Sequence, residues 1–221
     1  MHLTETTPEE HTGVIVLGRF PPPLDGQSLA TRRLAAMLSG DFDVHTLDLS
    51  AASEHTEADI RFRWSRVRHY LSLRERLQAG LQRYPDSPVL WTSISPTPLG
   101  HIRDLLVTAP AFGRTRPVLA VVHWGNFDQL FRHPLTRASA LRLAHRISIF
   151  VFLDPSLAAA CAPWIPENRR TSIPNTIDAD VLCTPQEVQA KQEHRKQRTS
   201  VRLLFLSNMI PEKGYLDALH A

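Results

Sequence analysis

The chain has 221 residues, 43% of them hydrophobic, and a formal net charge of +3. This apolar content suffices for a large α/β domain and excludes global disorder, and the small net charge does not indicate a nucleic-acid partner. The first ten residues are polar and acidic, and the apolar runs are strand-sized. We therefore expect neither a secretory signal nor a membrane-spanning helix, and a cytoplasmic protein.

Apolar runs rich in β-branched residues alternate along the chain with longer segments of helical period. This alternation predicts an α/β, Rossmann-like fold in which helices cover both faces of a parallel sheet. Ser28 is expected to cap the first helix and Gly40 to end it. Strands are predicted at 13–18, 44–49, 89–92, 118–122 and 147–153, and helices, with their caps, at 28–39, 61–83, 97–106, 135–145, 155–161 and 185–198.

The helix predicted at 61–83 is unusually basic, with seven arginines and a single acid, Glu75. Tyr70, Leu71 and Leu77 fall near one apolar face. Two interpretations stay open for the arginines: a solvated helix face, or peripheral contact with an anionic membrane surface.

The last residues of the sequence indicate a second domain. Residues 201–206 form a new apolar run that predicts a buried strand, followed by the start of a helix. One strand and a short helix cannot bury their own apolar faces. We therefore expect 12–183 to form an N-terminal Rossmann-like domain, 184–199 a linker, and 200–221 the start of an incomplete second domain.

Three segments of the chain carry a family resemblance. They are Gly26-Gln27-Ser28 after a proline-rich loop, the strand end 121–127 with His123, Trp124 and Asn126, and 173–178 followed by 206–214. In order and spacing, across nearly the whole chain, they resemble glycosyltransferase family 4, whose members have the two-domain GT-B fold.

The resemblance implies a retaining transferase that moves a sugar from a nucleotide sugar to a glycan or lipid-linked acceptor, without a cofactor. Residues 200–221 then begin the nucleotide-sugar domain, and a lipid-linked acceptor would bring peripheral contact with the inner membrane face. Ser207-Asn208 stands where the family usually has Gly-Arg, and the family's pair of glutamates has no counterpart. We therefore expect no transfer activity from these 221 residues alone.

Donor-binding residues follow from the same resemblance. Lys213 and Gly214 precede a predicted helix, so an ammonium group and free backbone N–H groups would face the donor diphosphate, together with Asn208. Gly26, at another helix start, is implied to let backbone N–H groups approach the donor closely, with Gln27 and Ser28 beside it. A simple tight turn is the alternative explanation of Gly26.

His123 directly follows a predicted strand, at the edge where open α/β sheets bind their ligands. We predict it as the catalytic residue, whose neutral imidazole hydrogen-bonds a sugar hydroxyl, with Trp124 and Asn126 on the acceptor side. A buried structural histidine is the alternative, and Trp124 and Phe127 are alternatively core residues.

Other candidate residues carry less weight. Asn175 and Asp178 lie near the hinge implied by the resemblance, but both are common turn residues, and the turn is the favoured explanation. Cys161 and Cys183 are expected to be reduced. Neither the cysteines nor the histidines show the spacing of metal ligands, so we predict no metal site.

Two other functions stay open. The first is a non-enzymatic binding or interaction module derived from a truncated transferase. The second is a one-domain nucleotide-binding protein, against which stands the lack of a Gly-x-Gly-x-x-Gly turn after the first strand.

Overall fold

The computed structural model of the chain describes residues 13–22, 24–50, 64–113, 116–175, 182–197 and 214–220. Its internal contacts divide the chain into two compact units, Met1–Asn175 and Thr176–Ala221, called unit 1 and unit 2 below. The strand predicted at 201–206 lies outside the described residues.

The described part of unit 1 contains a sheet and its covering helices. The strands are β1 (Gly13–Gly18), β2 (Asp43–Asp48), β3 (Val89–Trp91), β4 (Val118–Val122), β5 (Ile149–Phe152) and β6 (Arg170–Ser172). The helices are α1 (Gly26–Leu38), α2 (Trp64–Arg83), α3 (Pro98–Thr108), α4 (Gln129–Arg132), α5 (Arg137–Arg146) and α6 (Pro155–Ala160).

All six strands are parallel and stand in the order β2-β1-β3-β4-β5-β6. Strand side chains alternate between two faces, so Ile15 and Leu17 join the main core with α2, α3 and α5, while Val14 and Val16 pack against α1. Connections between parallel strands are right-handed. The connection through α1 runs from β1 to β2, whereas the later connections run in the opposite direction along the sheet. Helix α1 and the later helices therefore lie on opposite faces of the sheet. The predicted Rossmann-like α/β fold is confirmed.

The first helix begins earlier than predicted. Asp25 is its N-cap, because the Asp25 side chain accepts the N–H of Ser28 and the Ser28 hydroxyl accepts the N–H of Asp25. The prediction that Ser28 caps the helix is therefore wrong. The helix ends at Leu38 with Ser39 as its C-cap, so Gly40 directly follows the helix end as predicted, without a positive φ.

Between β4 and β5 the chain forms two helices where one was predicted. His133 takes an extended backbone conformation at the end of α4, directly before Pro134. Proline disfavours a helical conformation in the residue before it, which explains the break. The second helix, α5, then begins at Arg137.

Helix α2 buries Leu73, Leu77 and Leu81, which follow one another at a spacing of four residues. Leu71, predicted on the apolar face, is 41% exposed. Arg68 and Arg76 are exposed. These arginines therefore lie on the solvated side of α2, and membrane contact stays a prediction.

Unit 2 contains α7 (Pro185–Lys196) and α8 (Tyr215–His220) in its described residues. Thr184 and Glu187 form a capping box at the start of α7. Gly214, just before α8, has a φ of +73°, a left-handed conformation that favours glycine.

Candidate functional site

The strand order places a crevice at the carboxyl edge of the sheet. The connection from β1 leads to one side and the connection from β3 to the other, so this edge has a topological switch point between β1 and β3. Open α/β sheets bind ligands at such points. Arg19 follows β1, Thr92 and Ser93 follow β3, and His123 follows β4, so their backbones meet at this edge.

The loop after β1 is held by the strands on both sides. The Arg19 N–H donates to Ser93 Oγ at 2.7 Å, and the Phe20 N–H donates to Asp48 Oδ1 at 3.1 Å. At Gly18, an added Cβ would lie 1.9 Å from Thr92 Oγ1, so only glycine allows this close approach. The neighbouring strand ends therefore set the conformation of the β1–α1 loop.

The N-terminus of α1 already has a carboxylate. Asp25 Oδ1 accepts the Ser28 N–H at 2.7 Å, and Asp25 Oδ2 lies 3.4 Å from Arg19 Nη2. Ser28 is fully buried within this capping box. Gly26 is exposed, and an added Cβ there would meet no atom within 4 Å. The space beside Gly26 is therefore free of other described protein atoms, and the Arg19–Asp25 ion pair lies next to it in the chain.

Gln27 connects the start of α1 to the end of β3. Its Nε2 donates to the Thr92 carbonyl oxygen at 3.0 Å. Because the amide nitrogen is engaged with the β3 strand end, the side-chain orientation is set by the fold, and the side-chain oxygen is its remaining acceptor.

His123 is half-buried at the end of β4. Burial lowers the pKa of His123, and the charge of Asp25 opposes that effect. The imidazole is therefore neutral near pH 7, with one nitrogen that donates and one that accepts. The charge of Asp25 thus acts on His123 at this edge of the sheet.

The residues after His123 divide between surface and core. Trp124 is 43% exposed, and Asn126 is exposed. Phe127 is buried in the main core, where its ring packs edge-on against Phe131. Of the two aromatic residues whose assignment was left open, only Phe127 is a core residue.

The loop after β3 rests on a buried carboxylate from α3. Asp104 Oδ2 accepts the Ser95 N–H at 2.7 Å, and Arg103 donates from Nε and Nη2 to Asp104 Oδ1 at 2.9 and 2.7 Å. Burial raises the pKa of Asp104 to about 6, although the charge of Arg103 and the Ser95 hydrogen bond act against the rise. The arrangement at this edge combines hydrogen-bond donors and acceptors with side chains of both charges.

Comparison with known proteins finds a likeness only among solved structures. No family model and no curated protein matches the chain. One solved structure that matches is described as a glycosyltransferase from Rickettsia africae ESF-5, with 14% sequence identity and a TM-score of 0.46. The match covers 93% of this chain and 56% of that one, so this chain spans little more than half the length of that protein.

The predicted site residues fall into three groups. Gly26 and Gln27 begin α1, and His123, Trp124 and Asn126 lie on the loop after β4, at the same carboxyl edge of unit 1; Ser28 is buried beneath it. Gly214 belongs to unit 2, and Asn208, Lys213 and Asp178 lie outside the described residues. Asn175 is exposed and follows β6 at the far end of the sheet.

Sequence reasoning missed Arg19, Asp25 and Ser93. Arg19 and Ser93 each stand within two residues of a strand end, so the rule that singled out His123 also applied to them. Asp25 stands three residues before Ser28, the spacing of a capping box. The contacts between them join distant segments of the chain, and no sequence spacing indicates those contacts.

Three further observations concern metal ligands, membrane-spanning helices and a second cleft. Among the described residues, no group of three His, Cys, Asp or Glu side chains is placed to hold a metal ion. In the same part of the chain, no helix is both long and apolar enough to cross a membrane. A cleft of about 250 Å³ lies away from these residues, lined in part by Arg74, Leu81 and Arg116. Since Arg116 donates to the carbonyls of Leu81 and Tyr84 at the end of α2, this cleft is part of a helix-capping arrangement.

Proposed function

We propose that this chain is the acceptor-side part of a retaining glycosyltransferase of family 4, which transfers a sugar from a nucleotide sugar to a glycan or lipid-linked acceptor. The observation that carries the proposal is the crevice at the switch point of the sheet, where the Asp25 charge acts on His123 and Gln27 donates to the end of β3. The motif order along the chain supports it, because two of the three similar segments end at this crevice.

The charges at the crevice favour neutral hydroxyl groups over a phosphate group. Asp25 already caps the N-terminus of α1, and Arg19 lies next to the Asp25 carboxylate. A free helix N-terminus attracts anions, but one with a carboxylate cap offers little further attraction. Sugar hydroxyls both donate and accept, so they match the Asp25 carboxylate, the Gln27 oxygen and the neutral His123 imidazole.

In this proposal His123 hydrogen-bonds a sugar hydroxyl at the reacting end, and its restricted, half-buried position keeps that contact directional. Exposed Trp124 and Asn126 contact the acceptor, Trp124 through its ring face. Gly26 leaves room for the ligand. Ser28 contributes by fixing the turn, since its hydroxyl is engaged in the capping box.

We assign the donor diphosphate to Lys213, Gly214 and Asn208. An ammonium group at a glycine turn stabilises the negative charge that accumulates on a leaving diphosphate. The left-handed φ of Gly214 supports the turn that this role requires.

A fluorescence titration tests the crevice. Trp124 stands next to His123 and is partly exposed, so a bound sugar should change its emission. We expect saturable changes with a panel of methyl glycosides of glucose, galactose and mannose, and a weaker response to inorganic pyrophosphate. Trp124→Phe should remove the signal, and His123→Ala should weaken binding about tenfold, the effect of one hydrogen bond of about 1.4 kcal/mol.

The opposite results would contradict the proposal. A response to pyrophosphate alone would show that the crevice binds anions, and equal affinities of the parent chain and His123→Ala would remove His123 from the site. Transfer is tested separately, by joining the chain to a nucleotide-sugar domain of family 4 and measuring release of nucleoside diphosphate. A joined protein that binds the donor without releasing nucleotide would favour a non-catalytic binding module.

A further inference from the structure

Arg103 and Asp104, two consecutive residues of α3, hydrogen-bond to the loop between β3 and α3. Asp104 Oδ2 accepts the Ser95 N–H at 2.7 Å. Arg103 is paired with Asp104 Oδ1 through two nitrogens, and its Nη2 donates to the Ser93 carbonyl oxygen at 3.4 Å. The pair therefore contacts the loop at both Ser93 and Ser95.

The same loop forms one wall of the crevice. Ser93 Oγ accepts the Arg19 N–H at 2.7 Å, and the Thr92 carbonyl oxygen accepts from Gln27 Nε2 at 3.0 Å. Thr92 Oγ1 also lies 2.8 Å from Thr31 Oγ1 of α1, and both hydroxyls are buried. Any shift of the loop therefore moves the acceptors that orient Arg19 and Gln27.

A buried carboxylate at position 104 carries a large desolvation penalty. The Asp104 side chain is 1% exposed, and removing an ionised carboxylate from water is strongly unfavourable unless its oxygens are satisfied. Well-packed apolar residues often replace such buried pairs without loss of stability. What the carboxylate provides here is two acceptor oxygens, one for the loop and one for Arg103.

We propose that Arg103 and Asp104 are positioning residues of the crevice, which hold the loop 92–95 so that Arg19 and Gln27 keep their orientation at the carboxyl edge of the sheet. The effect on ligand affinity rests on the proposed function. The effect on the loop itself does not, and the two are measured separately.

The test compares three variants by amide NMR and by the methyl glycoside titration. Asp104→Asn keeps the volume but has one acceptor oxygen, so either the Ser95 N–H or the Arg103 guanidinium loses its partner. We expect faster hydrogen exchange at the Arg19 amide, which belongs to a different strand end, and about a tenfold loss of glycoside affinity. Ser93→Ala should produce the same change at Arg19 while the Ser95 amide keeps its exchange rate.

Thr108→Val is the matched control. Thr108 is buried on the same helix, and its hydroxyl donates to the Asp104 carbonyl oxygen at 2.6 Å rather than to the loop. This variant should lose stability without changing exchange at Arg19 or Ser95.

The outcomes separate the two claims. Unchanged exchange at Arg19 in a folded Asp104→Asn protein would overturn the positioning proposal. Faster exchange at Arg19 in a chain whose parent form binds no glycoside would uphold the loop contact and defeat the proposed function.

If Asp104→Asn does not fold, Arg103→Gln carries the same test, because Arg103 has 18% side-chain exposure and its loss leaves the Ser93 carbonyl without this donor. Arg103→Lys should restore the charge but not the two-nitrogen pairing, and hence only part of the protection at Arg19.

Discussion

The Asp25 carboxylate acts electrostatically on His123, although Asp25 follows β1 and His123 follows β4. Burial lowers the pKa of His123, and the nearby Asp25 carboxylate partly reverses that effect. The same carboxylate caps α1 and pairs with Arg19. One side chain therefore links helix capping, the local charge balance and the protonation of the candidate catalytic residue.

Replacing Asp25 should shift the titration of His123. Asp25→Asn removes the negative charge that favours the imidazolium form, so the pKa of His123 should fall further below its usual value. The measurement is a pH titration of the His123 ring proton by NMR. Asp41→Asn, an exposed acid at the end of α1, should leave that titration unchanged. An unchanged or higher His123 pKa in Asp25→Asn would show that the two groups are not coupled.

Asp104 should give the protein a pH-dependent stability. Its pKa is raised by burial from 3.8 to about 6, so the folded protein holds this proton more tightly than the unfolded chain does. The stabilisation is complete below about pH 4 and is lost as the pH rises through about 6, by up to about 3 kcal/mol at 1.4 kcal/mol per unit.

Urea unfolding of the parent chain and Asp104→Asn between about pH 4 and pH 7 measures this effect. Relative to the variant, the parent chain should lose stability across that range. A difference between the two proteins that does not change with pH would contradict the raised pKa of Asp104.

The two glycines near the crevice should respond differently to alanine. At Gly18 the new Cβ would overlap Thr92 Oγ1 and approach Thr31 Cγ2 at 2.9 Å, both buried, so we expect a loss of about 1–3 kcal/mol. At Gly26 the Cβ enters open space, and stability should change by no more than about 0.5 kcal/mol.

Chemical denaturation gives both values, and glycoside affinity gives an independent reading for Gly26→Ala. Weaker binding at unchanged stability would indicate that the ligand approaches the Gly26 backbone. Equal stability losses in the two variants would contradict the close approach of Gly18 to Thr92.

The two cysteines should differ in reactivity. Cys161 is buried, and burial raises its pKa to about 12, with Asp128 adding to the rise. Cys183 is exposed. A thiol reagent near neutral pH should therefore modify Cys183 in the folded protein and reach Cys161 only after unfolding, because the thiolate is the reacting form. Rapid labelling that persists in Cys183→Ser would contradict the burial of Cys161.

The site was only partly predictable. The rule that ligands bind at the carboxyl ends of parallel strands singled out His123, the motif around Gly26 singled out the start of α1, and both segments lie at the carboxyl edge of the sheet. The rule that helices start at Ser or Asp allowed both Ser28 and Asp25, and the choice depended on which side chain could reach back to its partner. Asp104 had no signal in the sequence, since its importance comes from contacts with a loop on another element.

The sequence by itself determined the α/β alternation, because the apolar period of a strand or a helix is a local property that each segment carries independently. It also determined which residues follow the strands, and so which of them reach the carboxyl edge. Only the tertiary structure decided that β1 lies between β2 and β3 and that Asp25 lies close enough to act on His123. Strand order and charge coupling depend on how distant segments pack, and the free energy of that packing is shared by the whole sheet rather than encoded in any one segment.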